Sequence, residues 1–200
     1  MSERARRVYE RATAAAQADG RLALPGVAEW ETFPFEGDLV VRRLEPPAAE
    51  PARHGEDPQQ CRACTAPDED FLWVDEAWRL GALERPSGLP VVVMLYPRDH
   101  HDLGDLPDDL AADLGRLTVR IDRAIRAAGD IARVHVGRWG DGGAHLHVWF
   151  FGRPAGLGQL RGSFAAIWDD ILPPAPDDEW RADLVAVAHQ LAQGGGKAMV

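Results

Sequence analysis

Ala144-His145-Leu146-His147-Val148-Trp149-Phe150-Phe151 alternates histidine or indole with aliphatic and aromatic side chains. Such alternation reads as a β-strand, in which residues at i, i+2 and i+4 share one face. His145, His147 and Trp149 then point one way, and Leu146, Val148 and Phe150 the other. One face carries chemistry and the other joins a core. A lone strand histidine is satisfied by its neighbours, but two imidazoles at i and i+2 directly after Gly140-Asp141-Gly142-Gly143 call for a functional reading.

Working outward, Ile131 to Arg138 reads as the preceding strand, joined to the histidines by the glycine turn. Before it, Leu106 to Ala128 is the clearest helix. Pro107 suits its first position, Asp108 and Asp109 favour the positive end of its dipole, and Gly129 ends it. Leu110, Leu114, Leu117, Ile121 and Ile125 form an apolar stripe at three- and four-residue spacing. Pro90 to Tyr96 is almost wholly apolar, which predicts a central strand buried on both faces and stopped at Pro97. The polar run Arg98-Asp99-His100-His101-Asp102 therefore sits at a strand end. Phe71 to Val74 and Trp78 to Leu80 read as a short hairpin.

Nearer the N-terminus, residues 4–18 are expected to be a helix and 22–36 irregular, with Asp38 to Leu44 a strand ended by Pro46-Pro47. Residues 46–60 read as a linker or mobile loop. Beyond Arg153-Pro154, Ser163 to Ile171 and Asp177 to Ala192 are expected helices, and Gly194-Gly195-Gly196 a frayed tail.

The chain has 200 residues and a net charge of −10, so it is long enough for a sizeable core and too acidic for a general phosphate-backbone binder. A small anionic ligand held by a few arginines and backbone amides remains compatible. No run of eighteen apolar residues occurs and the start lacks an apolar leader stretch, so we expect a soluble cytoplasmic protein, with no membrane and no nucleic acid among its partners. The only cysteines, Cys61 and Cys64, form a Cys-x-x-Cys pair after a polar, proline-containing run. That context favours a metal knuckle over a redox pair set between strand and helix.

The His-x-His pair resembles the motif of the histidine-triad superfamily, His-apolar-His-apolar-His or His-Pro-His-x-Gln, which also includes the galactose-1-phosphate uridylyltransferase branch. Here Trp149 takes the third position. The resemblance covers roughly residues 60–153. It implies an α+β fold, with an antiparallel sheet of about five strands and a long helix packed on it. Residues 1–59 then form an N-terminal extension and 154–200 a C-terminal helical extension.

The zinc-bearing branch implies a closed structural zinc site of Cys61, Cys64, His100 in Pro97-Arg98-Asp99-His100, and His145. His101 and His54 are alternative ligands. The resemblance makes His147 the nucleophile, forming a covalent nucleotidyl intermediate from a phosphoanhydride, phosphoramidate or nucleotide sugar. Amides of Gly140, Gly142 and Gly143 could line the phosphate. Arg138, Arg153 and Arg161 could neutralise its charge, and Glu84, at the position of the family's ribose-binding aspartate, could accept from ribose hydroxyls. Trp149 cannot deliver a proton, since indole has one N–H and no acceptor, so it either stacks on a base or plugs the pocket. The expected activity is that of a nucleotide hydrolase or nucleotidyltransferase, with a small nucleotide as substrate and a homodimer as the implied assembly. The alternatives are a catalytically inert nucleotide-binding or scaffold protein blocked by Trp149, and a redox module built on the two cysteines.

Overall fold

A computed structural model describes residues 3–200. Its contacts divide the chain into two units, one ending at Ala52 and the other spanning Arg53–Val200. The first unit holds helix α1 (Glu3–Ala14), which buries none of its residues and is laced by Arg6 to Glu3 and Glu10. The helix ends earlier than expected because Gln17 and Gly20 close a turn, the Gln17 amide donating to the Arg21 carbonyl. Asp38 to Leu44 is not the strand its apolar run predicts. Among the described residues no other segment pairs with it, and a strand needs a partner for its amides; Val40 is 68% exposed.

The second unit is built on a six-stranded sheet, every neighbouring pair antiparallel. Its strands are β1 (Trp73–Val74), β2 (Trp78–Ala82), β3 (Val91–Pro97), β4 (Ile131–Gly137), β5 (Val148–Pro154) and β6 (Lys197–Ala198), in the order β4-β5-β3-β2-β1-β6. The apolar run at Pro90 to Tyr96 becomes β3 at the centre, with Val91, Val93 and Leu95 fully buried. One side chain in two on each strand turns inward. Leu80, Val93, Leu95, Val148 and Phe150 meet Leu117, Ile121 and Ile125 of helix α3 (Asp108–Ala127) and Leu184, Val187 and Leu191 of α5 (Asp177–Ala192). Each such side chain contributes about 1.5–3 kcal/mol by leaving water. Pro107 caps α3 from outside instead of opening it.

The opposite face of the sheet divides in two. Val92 and Phe151 lie beneath Leu89 and Leu160, with Trp168 and Leu172 from α4 (Ala165–Ile171) and its C-terminal end packed alongside. Arg79, Gly81, Met94 and Tyr96 occupy the other part, and Tyr96 and Trp149 flank His147.

Three expectations are corrected. The strand begins at Val148, not Ala144, because Leu146 spends its amide on the His101 carbonyl and the chain turns at the histidines. The tail after Gly194 is docked: Lys197–Ala198 pairs with β1, and Trp73 donates its indole N–H to the Gly195 carbonyl at 3.0 Å. The chain leading to the cysteines is tied down from Arg53 onward. His54 forms a parallel bridge with Gly143, its amide donating to Gly142 and its carbonyl accepting from Ala144 at 2.9 and 3.0 Å.

Candidate functional site

Cys61 caps the single-turn helix α2 (Arg62–Thr65), which sets Cys61 and Cys64 on one side of the turn. His100 follows the end of β3, and His145 precedes β5, the neighbour of β3 in the sheet. The donor atoms of these four residues lie within 4.8 Å of one another. Cys61 Sγ and Cys64 Sγ are each 3.4 Å from His145 Nδ1, and Cys64 Sγ is 3.3 Å from His100 Nδ1. A tetrahedral ion with bonds near 2.3 Å to sulfur and 2.0–2.1 Å to nitrogen places S and N about 3.5 Å apart. The set is thus a closed Cys2His2 site with zinc geometry. His145 Nε2 donates to the Pro97 carbonyl at 2.9 Å, which turns Nδ1 toward the thiols. Burial, aided by the nearby histidines, holds the His145 pKa below its ordinary value, favouring the neutral ring a metal needs. Burial, then the hydrogen bond to Cys61, pushes the Cys64 thiol up to about 11. The geometry selects His100 over His101, whose part is to accept the Leu146 amide through its carbonyl. His54 stands outside the set.

His147 is half-buried beside this centre. Its Nδ1 lies 2.9 Å from the His145 carbonyl. A carbonyl only accepts, so Nδ1 donates this bond, and in the neutral ring the lone pair lies on Nε2. The ring faces Gly143, where a Cβ would come within 3.2 Å of His147 Cε1. Tyr96 stands on one side of it, ring centroids 6.4 Å apart, and Trp149 on the other at 6.3 Å. Trp149 is stacked on Phe151 at 5.6 Å and 8° and is edge-on to Trp139, itself 52% exposed.

Next to Tyr96 lies a cavity of about 310 Å³, walled by Phe71, Leu83, Met94 and Tyr96, with Arg62 and Glu84 among its lining residues. Glu84 and Arg62 form an exposed ion pair there. Burial pushes the Tyr96 phenol up to about 12, so the ring stays neutral.

The glycine turn is held from outside. Arg53 pairs with Asp102 at 2.6 Å and donates to the Gly140 carbonyl at 3.2 Å, while Arg138 also pairs with Asp102 and lies against Gly140. Arg138, Gly140, Gly142 and Gly143 are therefore gathered at His147's end of β5. Arg153 is not. It stands six residues along the chain from His147, roughly 20 Å in extended strand, and donates to the Pro154 and Leu157 carbonyls. Its guanidinium is engaged there, apart from the residues gathered beside His147. Arg161 follows the short turn Gly158–Leu160, whose Leu160 packs on the Phe151 part of the face. Sequence reasoning missed Arg53, Tyr96 and Phe71, and named Asp102 only as part of the polar run that follows β3. Tyr96 alone had a signal, as the one polar ring in an otherwise aliphatic strand.

No family model and no curated protein sequence matches the chain. Solved structures do. A Zn-bound histidine triad family protein from Mycobacterium smegmatis superposes with a TM-score of 0.50 at 22% identity, over 68% of this chain and 99% of its own. A hypothetical histidine triad nucleotide-binding protein from Sulfolobus tokodaii gives 0.50 at 16%, over 66% and 93%. A histidine triad protein from Bradyrhizobium japonicum gives 0.50 at 18%, over 62% and 92%. The chain has the histidine-triad fold.

Proposed function

We propose that the chain is a nucleotidyl hydrolase or transferase working through His147, with a structural zinc on Cys61, Cys64, His100 and His145. The observation that carries this reading is the bond from His147 Nδ1 to the His145 carbonyl, which leaves Nε2 as the free nucleophile beside a glycine turn. Nε2 attacks phosphorus, a P–N bond forms, and the bond to the leaving group breaks with its electron pair. Water or a second acceptor then takes the nucleotidyl group. The cavity between Phe71 and Tyr96 suits a base, and Glu84 at its rim suits sugar hydroxyls. The glycine amides and Arg138 would face the phosphate. The nucleotide binding named for the Sulfolobus protein supports the substrate class.

The zinc closes a four-ligand site and holds the strand end that carries His147; no step passes through it. Among the described residues no helix is long and apolar enough to cross a membrane. With the net charge of −10, this supports a cytoplasmic protein without a nucleic-acid partner. The end strand β4, with Val136 exposed, is where a second copy would pair in a homodimer.

The test is rapid-quench intact-protein mass spectrometry of the zinc-loaded protein with nucleoside polyphosphates, phosphoramidates and nucleotide sugars. A nucleotidyl mass increment is expected in wild type and not in His147→Ala. No increment and no consumption of any ligand would overturn the reading. The inert nucleotide binder is favoured by one feature, Trp149 stacked on Phe151 where a proton donor would stand. Hydrolysis gained from nothing in Trp149→His would decide for it.

A further inference from the structure

Trp149 leaves the nucleotidyl reading without a group to protonate the leaving atom, and the chain supplies an imidazole from elsewhere. His54 and Gly143 are partners in a parallel bridge fixed by two backbone hydrogen bonds, His54 amide to Gly142 and Ala144 amide to the His54 carbonyl. Bridge partners send their Cβ atoms to the same side, one strand spacing, about 5 Å, apart. For Gly143 that side is the one facing His147, since a Cβ built there meets His147 Cε1 at 3.2 Å. The His54 side chain therefore leaves its backbone on the side of the His147 ring. It is exposed, so its imidazole is open to a bound ligand.

The backbone carrying His54 is held from both ends. Arg53 is pinned to Asp102 and the Gly140 carbonyl, and Gly55 lies so close to Cys61 that a Cβ there would stand 3.3 Å from Sγ. Such a segment is a rigid mount and not a passing loop.

We propose that His54 is a further catalytic residue, the general acid and base of the reaction at His147, in the role that Trp149 cannot fill; this rests on the nucleotidyl reading above. In the first step His147 Nε2 bonds to phosphorus, the bond to the leaving oxygen or nitrogen breaks, and His54 imidazolium gives that atom its proton. In the second, neutral His54 takes a proton from water as the oxygen bonds to phosphorus. The P–N bond breaks, its electrons return to Nε2, and both residues are reset. Histidine is the side chain able to give and take a proton near neutrality.

The experiment compares adenosine 5′-phosphoramidate, whose amine leaves only when protonated, with adenosine 5′-(4-nitrophenyl) phosphate, whose nitrophenolate leaves without a proton. Wild type, His54→Ala, His54→Gln and His147→Ala are followed by stopped flow and quenched-flow mass spectrometry. In both His54 variants the nitrophenyl ester should give a burst of about one equivalent. Its steady state should then slow about 100-fold and nucleotidyl-protein accumulate, because a general base contributes roughly 10²–10⁴-fold. The phosphoramidate should form nucleotidyl-protein about 100-fold more slowly than in wild type. His54 variants with wild-type kinetics on both substrates, or with the burst and the phosphoramidate step slowed equally, would overturn the role, the latter marking His54 as a mere prop of the turn. Wild type forming no nucleotidyl-protein from either substrate, from their guanosine, cytidine and uridine counterparts, or from nucleotide sugars would overturn the His147 reading itself, and the role of His54 with it.

Discussion

His147 is held at its own ring edge by an absence, the missing side chain of Gly143. A Cβ in that position would press on Cε1 from 3.2 Å, and a ring that yields shifts against the bond that ties Nδ1 to the His145 carbonyl. Gly143→Ala should therefore lower turnover of the best nucleotide substrate about tenfold, as small misplacements of a reacting group do. The unfolding free energy from urea titration should stay within about 0.5 kcal/mol of wild type, because Gly143 is outside the core. Equal turnover in the variant would mean that the ring does not need its present seat. The motif was legible at this level because imidazoles spaced by two announce themselves. Arg53 was not, and His54 was read only as an alternative metal ligand, since nothing local distinguishes a residue held by a turn nearly ninety positions away.

Elements with a strong internal rhythm were read correctly. The stripe of α3 and the apolar run of β3 each bury what their periodicity exposes, and α5 spans the predicted residues. Ile121→Ala should cost about 2–5 kcal/mol by leaving a hole at a fully buried contact, measured by urea unfolding. Elements that exist only by pairing escaped notice or were overcalled. Asp38 to Leu44 has the composition of a strand and no partner, whereas Lys197–Ala198 has no strand composition and gains β1. The second depends on Gly196, whose φ of +78° and contact with the Trp73 indole leave no room for a side chain. Trp73 is fully buried and cannot move aside. Gly196→Ala should destabilise by about 1–3 kcal/mol and release β6, seen as faster hydrogen exchange at Lys197 and Met199. Unchanged exchange there would show that β6 does not need the glycine.

The second unit as a whole is fastened around its metal knuckle by ion pairs as well as by the ion. Asp68 receives both terminal guanidinium nitrogens of Arg98 at 2.8 Å and one of Arg79 at 3.0 Å. Arg98 holds the Asp68 carboxyl below the usual carboxylate range. A depressed folded value means that the unfolded chain takes up the proton first. The stabilisation is therefore full at neutral pH and is lost as pH falls from about 4 toward the folded value. Asp68→Asn should cost about 1 kcal/mol at pH 7, a figure kept small by the partial exposure of the carboxylate, and the difference from wild type should shrink by pH 3 in urea melts. Stripping zinc with a chelator should lower stability by at least about 2 kcal/mol, roughly 4–8 °C in melting temperature, and Cys61→Ala should show the same loss without response to added zinc. The tie between His54 and Gly143 also bears on where the protein can be cut. A fragment starting at the cysteine knuckle, where the family resemblance begins, would keep zinc, sheet and His147 but lose the backbone that braces the glycine turn. One starting at Arg53, the first residue of the second unit, would keep them all. Eight residues of unremarkable composition thus mark the difference between a folded shell and a complete working piece.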